Sequence, residues 1–138
     1  MNEMHRESKK KIEVCCCIII HNSQILILRR NHRGLRNGLW EFPGGKLEDE
    51  TLKECAEREV YEEINIRVGN LKFLCSVESE YEDISIKLNA FISFSDLLFS
   101  PSLKVHSEYR WVSSSQLNKF TFPKANLEIV DIIIKNGY

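Results

Sequence analysis

Trp40-Glu41-Phe42-Pro43-Gly44-Gly45-Lys46-Leu47-Glu48-Asp49-Glu50-Thr51 runs directly into Leu52-Lys53-Glu54-Cys55-Ala56-Glu57-Arg58-Glu59-Val60-Tyr61-Glu62-Glu63-Ile64. The first part is a turn that frees backbone carbonyls, and the second reads as an acid-rich helix over residues 51–64. At about 100° per residue, Leu52, Ala56, Val60 and Ile64 form a buried stripe, and Glu59, Glu62 and Glu63 fall within a neighbouring arc of roughly 100°. Like charges one turn apart, such as Glu59 and Glu63, destabilise a bare helix by about 0.2–0.5 kcal/mol per pair, so the cluster calls for a compensating cation. Oxygen ligands at this spacing suit a hard ion, Mg2+ or alternatively Mn2+, rather than zinc. An acid-rich helix can equally be a solvated face. The adjoining Pro-Gly-Gly turn is what favours the metal.

Upstream of this stretch, a β-rich run at 12–20, the turn His21-Asn22-Ser23 and a second strand at 24–29 predict a hairpin. Residues 31–38 carry Gly34 and Gly38 without periodicity and predict a loop, followed by a short strand at 39–42. Downstream, strands are expected at 71–78, 84–94 and 108–112; in the second, Ile84, Ile86, Leu88, Ala90, Ile92 and Phe94 alternate strictly. Ser113 and Gln116 have the spacing of a capping box for a short helix, and Leu127, Val130, Ile133 and Ile134 supply the buried face of a terminal one. Mixed strands with two or three helices place the chain in the α/β (α+β) class.

A chain of 138 residues, 43% hydrophobic, fits one domain over 1–138, with residues 1–11 as a flexible N-terminal arm. A formal net charge of -1 and a pI near 6.4 argue against a broad nucleic-acid footprint, despite Lys9-Lys10-Lys11. No apolar stretch has the length of a membrane span, and residues 1–11 lack the apolar core of a signal peptide, so a cytoplasmic location is expected. The five cysteines, three of them consecutive at Cys15, Cys16 and Cys17, have no metal-ligand spacing and are read as reduced, mostly buried hydrophobes.

Gly44, Glu50, Arg58-Glu59-Val60, Glu62-Glu63 and Ile66 fall at the spacing of a known signature: Gly, five residues, Glu, seven residues, Arg-Glu-apolar, one residue, Glu-Glu, one residue, Gly, apolar. This resembles the Nudix box of hydrolases that act on nucleoside diphosphates linked to another group. Arg29-Arg30, the Trp40 to Lys46 run, Trp111-Val112 and Phe122-Pro123-Lys124-Ala125-Asn126 extend the resemblance to the MutT-like branch over nearly the whole chain. There are two departures. Laid on the Pro-Gly-Gly-Lys run, the MutT-like pattern starts at Gly45, so the loop through Glu48-Asp49-Glu50 is one residue short. Asn65 stands where the box has Gly; it is the next most tolerant residue for the left-handed conformation that ends a helix.

The resemblance implies a Nudix-type α/β/α sandwich with a mixed β-sheet, and a Mg2+-dependent pyrophosphohydrolase converting nucleoside triphosphates to monophosphates and pyrophosphate, 8-oxo-dGTP-type nucleotides included. The carbonyl of Gly44 with Glu62 and Glu63 would hold metal. Glu59 would hold a metal or its water and activate that water, and Arg58 would orient the carboxylates without touching substrate. Glu108, from the loop before the Trp-bearing strand, is a further metal ligand or base, or a plain surface acid. Arg30 and Asn126 map to the base-reading positions, and Glu41 and Phe42 would line the same cleft, Phe42 either stacking on the base or packing in the core. Other readings are a CTP/dCTP- or sugar-nucleotide-preferring hydrolase and a non-catalytic nucleotide sensor. The expected partner is a nucleotide, with no nucleic acid or membrane, for a monomer or homodimer.

Overall fold

The computed structural model describes residues 9–31 and 38–138. The loop expected at 31–38 and the arm expected at 1–11 lie mostly outside the described residues. Strands β1 (Lys10–His21) and β2 (Gln24–Arg30) pair antiparallel across Asn22-Ser23, whose φ angles are 46° and 64°. Two successive positive φ values give the turn a twist that matches the strands it joins. After β3 (Trp40–Glu41) and β4 (Gly44–Lys46) comes helix α1 (Leu52–Ile64), followed by β5 (Lys72–Glu80), β6 (Ile84–Phe94) and β7 (His106–Ser113). A 3-10 turn, Ser114–Lys119, and helix α2 (Lys124–Asn136) complete the chain.

The strands make one sheet in the order β3-β2-β1-β6-β5, with β4 joined to β1 and β7 to β2. β1 and β6 run parallel and the other pairs antiparallel, so the sheet is mixed. Side chains of β1 part to opposite faces. Cys16, Ile18 and Ile20 pack with Ile25, Ile27 and the α2 residues Ile129, Val130 and Ile133; Cys15, Cys17 and Ile19 pack with Leu26, Leu28 and the α1 residues Cys55, Ala56, Val60 and Ile64. This is the expected α/β/α sandwich. Its central strand is covered on both faces and therefore reads as an unbroken apolar run rather than an alternating one. All five cysteines are free thiols, four of them buried. No helix among the described residues is long and apolar enough to cross a membrane.

Four local expectations are corrected. β1 begins at Lys10 because β6 offers it a parallel partner down to Ile84, so Lys10 and Lys11 belong to the sheet and not to the arm. β6 does not alternate between core and solvent: Leu88 to Ser93 are all buried, and its polar members are satisfied, Asn89 by Ser76, Glu13 and the Val14 carbonyl, and Ser93 by the Gly69 carbonyl. Ser113 forms no capping box; the residues after it tighten into a 3-10 turn, and its hydroxyl meets that of Ser115. Leu127 is 53% exposed, because the buried stripe of α2 runs through Ala125, Asn126, Ile129, Val130 and Ile133. The capping box that does form is at α1. There Thr51 Oγ1 accepts from the Glu54 N–H and Glu54 Oε1 from the Thr51 N–H.

Candidate active site

The Pro-Gly-Gly turn is seated on the central strand. Cys17 N–H donates to the Pro43 carbonyl, and β4 pairs Gly44 with Cys16 and Gly45 with Cys15. Any side chain at Gly44 would put its Cβ 2.2 Å from the Cys15 carbonyl oxygen, so this strand-to-strand approach requires glycine. At Gly45 a Cβ would lie 2.3–2.5 Å from the carboxylate atoms of Glu59, which shows how closely that acid rests on the turn. α1 carries Glu59 there and ends at Asn65, whose φ of 59° is the left-handed conformation expected of it.

Arg58 organises the acids. Its Nε and Nη2 donate to the two oxygens of Glu50 at 2.9 and 2.6 Å, and Nη2 also reaches the Lys46 carbonyl at 3.1 Å. Its Nη1 donates to Glu59 at 2.9 Å and to Glu62 at 3.1 Å. The bidentate partner is thus Glu50, an acid to which the sequence reading gave no role. The shortened loop closes by folding Glu50 back on Glu48, whose N–H it accepts, and still delivers its carboxylate to Arg58. These bonds hold Glu50 down to about 2. Glu59 moves the other way, because its burial outweighs Arg58. Glu63 accepts from the Gly44 N–H at 3.1 Å and is pushed up to about 8, first by burial and then by the charge of Glu41.

Among the described residues no three His, Cys, Asp or Glu side chains form a ready-made metal cage. The donors nevertheless fit a hard cation. They are carboxylates resting on one turn, Glu59 at Gly45 and Glu63 at Gly44, and Mg2+ is typically held by one or two carboxylates together with water and substrate phosphates. Glu59 against Gly45, Glu63 against Gly44 and the exposed Glu62 are the groups that would hold it.

From this turn a cleft of about 430 Å³ runs beside the sheet to the start of α2. Gly44, Gly45, Glu63, Arg30, Glu41, His106 and Asn126 line it along with apolar side chains, while Glu59 and Glu62 stand outside its lining, Glu59 on the turn at Gly45. Arg30 Nη1 donates to Glu41 Oε1 at 2.8 Å, and His106 Nε2 meets Glu41 Oε2 at 2.8 Å. Burial opposes the Glu41 charge, but the bonds from His106 and Arg30 prevail and hold its carboxyl below the usual range. Asn126 is buried, its backbone N–H on the Pro123 carbonyl. Phe42 stacks on Phe122 at 5.5 Å between centroids and belongs to the core while also lining the cleft. Glu108 is not brought to the cleft. It pairs with Arg29 across the β2–β7 ladder at 3.0 Å and lies 3.6 Å from Arg110. The sequence reading missed His106, which carried no motif signal; the ladder that places it beside Arg30 forms between distant segments.

A model of the NUDIX domain matches residues 15–131, which include both the acid-bearing helix and Asn126. This chain belongs to the Nudix family. The 8-oxo-dGTP diphosphatase of Proteus vulgaris is 39% identical over 87 residues, 61% of this chain and 77% of that protein. The CTP pyrophosphohydrolase of Escherichia coli strain K12 is 28% identical over 123 residues, 88% of this chain and 90% of that protein. The crystal structure of the MutT protein from Methanosarcina mazei Go1 is similar with a TM-score of 0.82 at 27% identity, covering 96% of this chain and all of that one (100%). The chain is a Nudix hydrolase of the phosphoanhydride-cleaving class.

Proposed function

We propose that this Nudix hydrolase is a cytoplasmic, Mg2+-dependent nucleoside triphosphate pyrophosphohydrolase, releasing a nucleoside monophosphate and pyrophosphate, with oxidised purine nucleotides such as 8-oxo-dGTP among its substrates. The observation that carries this is that one cleft is lined both by Gly44, Gly45 and Glu63 of the acid-bearing turn and helix and by Arg30 and Asn126. Phosphoanhydride hydrolysis requires neutralised phosphate charge and an aligned water rather than a protein nucleophile. Bound Mg2+ would supply the charge neutralisation. In this reading Glu59, held between Arg58 and Gly45, takes the proton of the attacking water, while Arg58 keeps the acids apart and aligned. Arg30 offers donors to a base edge and Asn126 both a donor and an acceptor.

A second reading, preference for cytidine nucleotides, has support in the likeness to the CTP pyrophosphohydrolase along 88% of this chain. A panel of 8-oxo-dGTP, dGTP, dATP, dCTP, CTP and a sugar nucleotide, with formation of the nucleoside monophosphate followed in Mg2+, separates the two. Highest kcat/KM on 8-oxo-dGTP supports the purine reading, and highest kcat/KM on CTP or dCTP replaces it.

A further inference from the structure

Helix α2 starts without a cap of its own. Its N-cap residue is Pro123, whose side chain has no acceptor to offer, and the Asn126 N–H turns back to the Pro123 carbonyl at 2.9 Å. The missing acceptor comes from another part of the sheet. Tyr81, in the turn between β5 and β6, takes the Ala125 N–H on its hydroxyl oxygen at 2.7 Å, across 44 positions of sequence. Ala125 is the second residue of α2, and its N–H is one of those that an N-cap side chain ordinarily satisfies. A longer second tie joins the same two places, the Lys124 ammonium donating to the Glu80 carbonyl at 3.4 Å. The turn is held in its own right: Tyr81 N–H donates to the Ile84 carbonyl at 2.7 Å, and Tyr81 packs against the core cluster that contains Ala125 and Ile129. Tyr81, Ala125 and Asn126 all line the cleft.

We propose that Tyr81 is a positioning residue for base recognition: its hydroxyl holds the first turn of α2 and so keeps Asn126 in its place in the cleft wall. The assignment rests on the proposed reading of the base by Asn126 and adds to it the group that keeps that side chain in register. It also gives the β5–β6 turn, distant in sequence from the acid-bearing helix, a part in the choice of substrate.

Tyr81→Phe keeps the ring and removes the acceptor. The quantity to follow is the ratio of kcat/KM between the best and the worst of 8-oxo-dGTP, dGTP, dATP, dCTP and CTP. Freeing the start of α2 costs no more than the bond that held it, so Tyr81→Phe should compress this ratio by about two- to tenfold, the worth of one hydrogen bond, and by less than Asn126→Ala does. With Asn126 gone there is nothing left to position, and adding Tyr81→Phe to Asn126→Ala should leave the ratio where Asn126→Ala put it. Rescue comes from the helix itself. Pro123→Ser offers an N-cap oxygen to the same Ala125 N–H, so joining it to Tyr81→Phe should restore the ratio. A Tyr81→Phe enzyme that melts lower and keeps the wild-type ratio has lost only a structural bond, and this overturns the assignment. A compression that persists in the Asn126→Ala background, or that Pro123→Ser does not reverse, overturns it too. If the wild-type enzyme has no preference, or Asn126→Ala alone leaves the preference intact, the reading of the base by Asn126 has failed and the assignment falls with it. Should Tyr81→Phe not fold alone, its combination with Pro123→Ser decides. A folded double variant with the wild-type ratio supports the assignment, and one that has a compressed ratio or still cannot fold overturns it.

Discussion

The acid-bearing segment and the strands beside it are built in opposite ways. Gly44, Gly45, Glu50, Arg58, Glu59, Glu62 and Glu63 all lie within one turn and one helix, and Arg58 hydrogen-bonds three acids of its own segment. The rest of the polar cleft lining draws Arg30 from β2, Glu41 from β3, His106 from β7 and Asn126 from α2, and the His106–Glu41 bond spans 65 positions of sequence. The acid-bearing segment is partly open to solvent, and one guanidinium meets several of its carboxylates. Among the residues from the other elements, His106 and Asn126 are buried. The acids of one segment are positioned by local geometry, whereas the rest of the cleft depends on how distant strands are brought together.

The sharpest way to break this contrast is at Glu59. Glu59→Gln keeps shape and removes charge, so turnover should fall by roughly 10²–10⁴ with the fold intact by circular dichroism. A variant holding more than about half the wild-type rate at saturating Mg2+ would remove Glu59 from the chemistry.

Gly45→Ala comes next in size. Its Cβ meets only the end of the Glu59 side chain, which can swing away, so the protein should fold while activity falls by about 10²-fold through misplacement of that acid. Gly44→Ala meets the backbone of Cys15 and Cys16 instead and should lower the melting temperature. If Gly45→Ala melts low and Gly44→Ala does not, the roles given to the two glycines are reversed.

On the α2 side, Asn126→Ala should reduce kcat/KM for the preferred base by about 1–3 kcal/mol and hardly alter slow turnover of poor substrates. An equal loss on every nucleotide would make Asn126 a structural residue at the start of α2.

The smallest effect is on acid stability. Arg58 draws the Glu50 carboxyl from 4.5 down to about 2, so this pairing contributes in full above about pH 4.5 and is lost as the pH falls towards 2. Glu50→Gln should therefore flatten the fall in melting temperature across that window relative to wild type. Parallel curves for the two proteins would mean that the ion pair contributes nothing in solution.

How much was legible in the sequence follows from the same contrast. The stripe Leu52, Ala56, Val60 and Ile64, the acids beside it and the left-handed Asn65 are set by helical geometry alone, and the structure has them where the periodicity puts them, with Leu52 only partly buried. The hairpin of β1 and β2 announced itself through Asn22-Ser23. The strands β1 and β6 were visible, but their parallel pairing was not, because nothing local specifies which strands become neighbours. For the same reason Glu108 read as a potential ligand and proved to face Arg29, while His106, two positions away, drew no notice and stands in the cleft wall. The missed capping box at Thr51 and Glu54 was legible, overshadowed by the acids that follow it.

The division of labour is tested most directly by the ratio of kcat/KM for a preferred and a poor base, measured in wild type, Glu59→Gln and Asn126→Ala under the same Mg2+ concentration. Glu59→Gln should lower both values together and leave the ratio where it was, and Asn126→Ala should pull the ratio towards unity. A ratio that shifts severalfold in Glu59→Gln, or survives intact in Asn126→Ala, would contradict the separation of chemistry from base choice.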